Sequence, residues 1–247
     1  MEKIGIFFSV LLISVTLFFA ILTGSPPSQN ISSIPVDQTY STTSVPITKT
    51  LTPQPYPTPS PNPSPTPVVK TVLFSDDLSK RRIEWDEEYD GSFGKTFYSA
   101  GSLHMRKTIH HELHMNFNDF ILHVDVKNFA SLNNLMGVFI RYQNSNNYYS
   151  LTFSEDGYYY IKKRENGKTQ DLIVPTRSSY INAGNGQINH IRVEANKNTL
   201  NLSVNGHHLS TVTDNSFNEG TVALMADCVS PNFFSEVVYN NLVITTI

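Results

Sequence analysis

His110, Glu112 and His114 are the residues whose types and spacing best suit a metal ion. If residues 108–115 are extended, alternate side chains leave one face at ~6.6 Å intervals. Two imidazoles and a carboxylate would then point the same way. His104 or His123 from a neighbouring strand would complete an N/O donor set for a structural zinc or another divalent cation. The plainer reading of the same pattern is the polar outer face of a surface strand. A second set suits sugars, whose recognition takes aromatic rings for the apolar faces of pyranoses and planar polar groups for the hydroxyls. His123, Asp125, Arg141, Tyr148, Tyr158 and Tyr160 supply such groups on the expected non-core face of the middle strands. Arg141 interrupts the apolar run Gly137–Tyr142, and a charge inside a strand needs a partner or a solvent-lined groove. Asp125 is the expected partner; a purely structural Arg–Asp pair beneath a tyrosine-rich sheet would leave the same pattern.

Other constellations are thinner. Glu84, Asp86, Glu88 and Asp90 alternate around Trp85 in a stretch that reads as a solvated or calcium-attracting loop. No Gly-x-Ser-x-Gly elbow and no Ser/His/Asp arrangement of recognisable spacing is present. Cys228 is the only cysteine, which excludes an intramolecular disulfide and Cys₂- or Cys₄-type zinc sites, and its apolar surroundings predict a buried, inert thiol. The net charge of −3 comes without a long basic run. Lys162, Lys163 and Arg164, the densest basic cluster, read as solvated hairpin charges, so no nucleic-acid partner is expected.

The elements that must position these residues are strands. Phe120–Lys127 alternates cleanly: Phe120, Leu122, Val124 and Val126 point one way and Ile121, His123, Asp125 and Lys127 the other. Similar runs occur at Gly137–Tyr142, Tyr148–Ser154, Tyr158–Arg164, Ile188–Ala195, Thr199–Val204, His207–Thr213, Thr221–Ala226 and Val237–Thr245. Earlier ones lie near Val69–Phe74, Thr96–Ser99 and Ser102–Lys107, and Asn-, Gly- and Asp-rich turns separate many of them. About a dozen short strands without an amphipathic helix predict an all-β, two-sheet antiparallel sandwich over residues 68–247.

Upstream, Ile4–Leu22 is uncharged and follows Lys3. Read as a helix, it would span roughly 28 Å, close to the thickness of a bilayer core. Residues 1–23 are therefore expected to be a signal anchor that meets the membrane through residues 4–22. A cleaved signal peptide is the alternative, against which Leu22 and Pro26 make poor cleavage contexts. Either way the remainder lies outside the cytoplasm, membrane-anchored or secreted. Residues 24–67 hold 12 of the 14 prolines, with proline at alternate positions from Pro53 to Pro67. They read as a disordered Pro/Ser/Thr stalk, whose last fifteen residues would extend roughly 45 Å as polyproline II.

Five blocks carry a resemblance: Leu73–Ser79 (LFSDDLS) with Trp85, Asp119–Phe129 (DFILHVDVKNF), Gly137–Lys163, Asn189–Ala226 and Val237–Ile244 (VVYNNLVI). Together they resemble the concanavalin A-like lectin/glucanase superfamily over about residues 70–247, and within it the laminin G-like and 3-keto-disaccharide hydrolase-type domains of surface proteins. The resemblance implies a jelly-roll sandwich with one concave sheet that often binds carbohydrate, and a core position for Trp85. The glucanase Glu-x-Asp-x-x-Glu strand is absent, and Asn240-Asn241 stands where the family usually has Asp-Asn. The expectation is a surface-displayed, non-catalytic module for an extracellular glycan or cell-envelope polymer. A hydrolase acting on glycosidic bonds, or an adhesion sandwich without sugar specificity, are the alternatives.

Overall fold

A computed structural model describes residues 70–130, 134–228 and 235–247. The hydrophobic segment, the stalk and the thiol of Cys228 lie outside the described residues and side chains. Fourteen strands make up the described part. They are β1 (Val72–Asp76), β2 (Gly94–Ser99), β3 (Ser102–Lys107), β4 (Ile109–Phe117), β5 (Phe120–Ala130), β6 (Asn134–Asn144) and β7 (Asn147–Ser154). Then follow β8 (Tyr158–Glu165), β9 (Lys168–Arg177), β10 (Ile188–Asn196), β11 (Thr199–Val204), β12 (His207–Thr213), β13 (Gly220–Cys228) and β14 (Ser235–Thr245).

They form an antiparallel two-sheet sandwich, the predicted fold class. One sheet has eight strands in the order β12-β11-β10-β5-β14-β3-β2, with β1 also paired to β14. The other has six, in the order β4-β13-β6-β7-β8-β9. Period-two alternation decides what each strand buries. Phe120, Leu122, Val124 and Val126 of β5 meet Val138, Ile140, Tyr149, Leu151 and Phe153 of the six-stranded sheet in a single apolar core. Tyr239 of β14 ties the layers together: its hydroxyl donates to the Met225 carbonyl at 2.6 Å and accepts from the Gly137 amide at 2.9 Å. β9 was not anticipated. It is an edge strand, largely exposed and carrying Pro175, and a residue pattern of that kind resembles a loop.

The segment before β2 closes the β4 edge. The Asp86 amide donates to the Glu112 carbonyl at 3.0 Å, and the His114 amide donates to the Glu84 carbonyl. Trp85 is buried, and its indole N–H donates to Asp76 at 2.9 Å. It stacks on His111, with centroids 5.4 Å apart and planes 9° apart.

His111 is also buried, and burial pushes its imidazole down to about 4. The folded chain therefore holds this ring neutral where the unfolded chain protonates it. Its contribution to stability is complete above pH ~6.5 and is lost as pH falls through ~6.5 toward ~4, about 3 kcal/mol in all. Burial lowers His110 and His123 as well, so they act in the same direction. Urea melts across this range should show stability rising with pH, and His111→Phe should flatten the slope. An unchanged slope in that variant would remove His111 from the account.

Candidate functional site

The outer face of the six-stranded sheet is built from alternate residues of its strands. β4 contributes His110, Glu112 and His114, β13 contributes Thr221, Ala223 and Met225, and β6 contributes Gly137 and Phe139. Tyr148, Ser150 and Thr152 of β7 continue the face, followed by Tyr158, Tyr160, Lys162 and Arg164 of β8. Cross-strand register sets them in rows: Glu112, Ala223, Phe139, Ser150, Lys162 and Asp171 align in one. His110, Met225, Gly137, Thr152 and Tyr160 align in the next.

A contiguous aromatic cluster occupies this face. Phe139 stacks on Tyr148 with centroids 4.4 Å apart and on Tyr142 at 6.0 Å, and Tyr142 lies 5.6 Å from Tyr148. The His110 ring lies 5.4 Å from Tyr142 and 5.8 Å from Phe139. Beside the cluster the floor is low, because Ala223 and Gly137 carry almost no side chain. A Cβ on Gly137 would stand 2.1 Å from the Leu151 carbonyl oxygen, so the backbones there admit nothing larger. An open depression of about 510 Å³ adjoins Tyr142, lined also by Glu112, His114, Gln143 and Glu219.

Tyr142 joins the cluster only because β6 carries a bulge. With strict alternation Phe139 faces out, Ile140 in, Arg141 out and Tyr142 in. Between Phe139 and Tyr142, β6 advances three residues while its partner β13 advances two, from Ala223 to Thr221. Arg141 is the residue with left-handed φ (48°) in this segment. The extra residue resets the alternation, so Arg141 turns inward and Tyr142 outward.

Arg141 is therefore not on the binding face. It is fully buried, with Nη1 donating to the Phe217 carbonyl at 2.9 Å and Nη2 to the Asn118 carbonyl at 3.4 Å. Its nearest carboxylate is Asp119 at 3.5 Å, not the expected Asp125. Burial holds its guanidinium below the usual range, with Tyr149 and Asp119 opposing.

The other expected sugar-binding residues divide between two faces. Tyr148, Tyr158 and Tyr160 are on the six-stranded sheet, whereas His123 and Asp125 belong to β5 in the eight-stranded sheet. Both point outward there, on the opposite side of the sandwich. Asp125 accepts from the His190 ring at 2.7 Å and from the Asn241 amide at 2.8 Å, and the His123 ring lies 3.0 Å from that of His190. The six residues cannot form one site, because the core separates the two groups.

The metal set is corrected as well. His110, Glu112 and His114 do share a face, but both imidazoles are engaged elsewhere. His114 Nε2 lies 2.8 Å from Asp86, the other Asp86 oxygen accepts from the Glu112 amide at 2.9 Å, and His110 Nε2 lies 3.4 Å from the Tyr142 hydroxyl. Among the described residues, no group of three His, Cys, Asp or Glu is placed to hold a metal ion. Within the acidic stretch, Glu84 pairs with Arg82 and Asp90 with Lys95.

Burial around the aromatic cluster works against charge on its members. Burial lowers His110 and raises Glu112, the latter helped by Asp86. Burial also pushes Tyr142 to about 12 and raises Tyr148 and Tyr160, so these phenols stay protonated and can donate hydrogen bonds. Lys162 lies 3.6 Å from Asp171 and 4.9 Å above the Tyr160 ring. Such a surface offers stacking planes and hydroxyls. Phe139 and Tyr142 went unrecognised in the sequence because their odd spacing conceals a shared face.

No protein-family model matches the chain, and no curated protein matches it. Solved structures do. A Bacillus subtilis protein with a galectin-like fold aligns at TM-score 0.53 and 13% identity, over 72% of this chain and 99% of its own. The GlcNAcα1-4Gal-releasing endo-β-galactosidase of Clostridium perfringens aligns at 0.53 and 7% identity, over 71% of this chain and 62% of its own. Xylan β-1,4-xylosidase of Bacillus halodurans aligns at 0.53 and 12%, over 74% of this chain and 41% of its own. This chain thus spans only part of the two enzymes. At such identities the likeness is one of fold alone: a two-sheet antiparallel sandwich, galectin-like in the first of these structures.

Proposed function

We propose that the outer face of the six-stranded sheet binds a glycan without cleaving it, and that the N-terminal segment and stalk display the domain outside the cell. The observation that carries the reading is the cluster of His110, Phe139, Tyr142 and Tyr148 beside a floor of Gly137 and Ala223. Planar rings next to the small residues Gly137 and Ala223 suit the apolar faces of pyranoses, and neutral phenols suit their hydroxyls. That two structurally similar proteins are glycan-acting enzymes adds support. The hydrophobic length of residues 4–22 and the proline spacing of residues 53–67 support display, since a stalk would carry the face away from a membrane.

The test is a glycan array probed with the full chain in detergent, with an assay for new reducing ends on each retained glycan. Retention of a glycan class without new reducing ends is the expected result. An empty array would overturn the binding reading, and release of reducing ends would replace it with a hydrolase.

A further inference from the structure

Seven arginines occur in the chain. Arg81, Arg82, Arg106, Arg141 and Arg192 each have a carboxylate within 4 Å. Arg164 and Arg177 have none among the described residues, and Arg177 is exposed at the end of the edge strand β9. Arg164 differs. It is partly buried on β8, directly opposite Tyr148 of β7, on the face that carries the aromatic cluster. Its Nη1 has one long hydrogen bond, 3.4 Å to the Thr169 hydroxyl, and its buried Nε has no partner. The neighbouring cations are already committed: Lys162 to Asp171 at 3.6 Å and Lys163 to Asp214 at 2.9 Å.

A half-buried guanidinium without a counter-ion has lost hydration that one long hydrogen bond does not replace. It sits where a ring lying on Tyr148 and Phe139 would bring a substituent. We propose that Arg164 is an anion subsite of this face, so that the glycan is an acidic one, carrying a carboxylate or a sulfate ester on the ring stacked against Tyr148. This rests on the glycan-binding reading of the face and narrows its ligand class. The planar fork of arginine matches either group with two parallel hydrogen bonds. Carboxylates on the same face do not fill the role: Asp171 is paired with Lys162, Asp227 accepts from the Thr108 hydroxyl at 2.6 Å, and Glu112 stands at the β4 end of its row.

The experiment titrates the full chain in detergent with oligogalacturonate and its methyl ester, in which a methyl group removes the charge on each ring. A sulfated galactan oligosaccharide and its unsulfated form make a second pair. Binding about tenfold or more tighter to the charged member of one pair is expected, and the pair that responds identifies carboxylate or sulfate as the group. Arg164→Gln should erase that preference while leaving the neutral member within about twofold. Arg164→Lys, which keeps the charge and loses the fork, should fall between. The preference should also shrink as salt rises. Equal binding of charged and neutral members, or an equal loss for both in Arg164→Gln, would overturn the anion subsite and leave the aromatic face standing. Failure of every saccharide to bind would overturn the face and the subsite together.

Discussion

Alanine at position 141 is expected to destabilise the domain by about 3–5 kcal/mol, lowering the melting temperature by roughly 10 °C. Three consequences combine. The Phe217 and Asn118 carbonyls lose the donors that satisfy them, a large side chain leaves a void in a closed core, and the bulge loses the group that anchors it inward. Gly220 is part of the same device, since a Cβ there would meet the Arg141 backbone at 2.4 Å. Tyr142 depends on the bulge for its outward position, so glycan affinity should fall along with stability. Melting of the full-length variant, followed by circular dichroism, measures this. A variant that melts normally yet loses glycan affinity would show that Arg141 touches ligand after all.

Tyr148→Ala should behave in the opposite manner, with affinity for the retained glycan down by about 10- to 100-fold and the fold intact. The ring projects from the sheet rather than into the core, and it is the member of the cluster closest to Phe139. Tyr148→Phe keeps the stacking plane and should stay within about threefold, which separates the ring from the hydroxyl. His123→Ala and Asp125→Ala, on the far side of the sandwich, should leave affinity unchanged. Calorimetric titration of the four variants tests the assignment of the face. Loss of binding in the β5 variants with normal binding in Tyr148→Ala would move the site to the eight-stranded sheet.

How much of this was legible in advance follows from what period-two alternation contains. Phe120, Leu122, Val124 and Val126 announce an inward stripe because burial on one face leaves a pattern along one strand. The same reasoning located most strands and predicted the two-sheet sandwich, while the core position of Trp85 came from the family resemblance. Alternation also put His110, Glu112 and His114 on a common face, although their shared face did not make them ligands. Aromatic residues on β7 and β8 were likewise visible as outward candidates, since Tyr148, Tyr158 and Tyr160 keep the parity of their strands.

What the sequence by itself determined is therefore the fold class and the side of each regular strand that faces the core. Tertiary structure alone decided two further matters. The first is which sheet a strand joins: alternation is identical in both layers, so nothing local shows that β5 lies across the core from β6, β7 and β8. That is why His123 and Asp125 were grouped with tyrosines from which the core separates them. The second is the bulge at Arg141. One extra residue reverses the parity of everything after it, and its cause is long-range, in the carbonyls of Asn118 and Phe217 that receive the guanidinium. A pattern read along one strand cannot contain contacts made by chain so far away, and those contacts place Tyr142 among the rings that form the face.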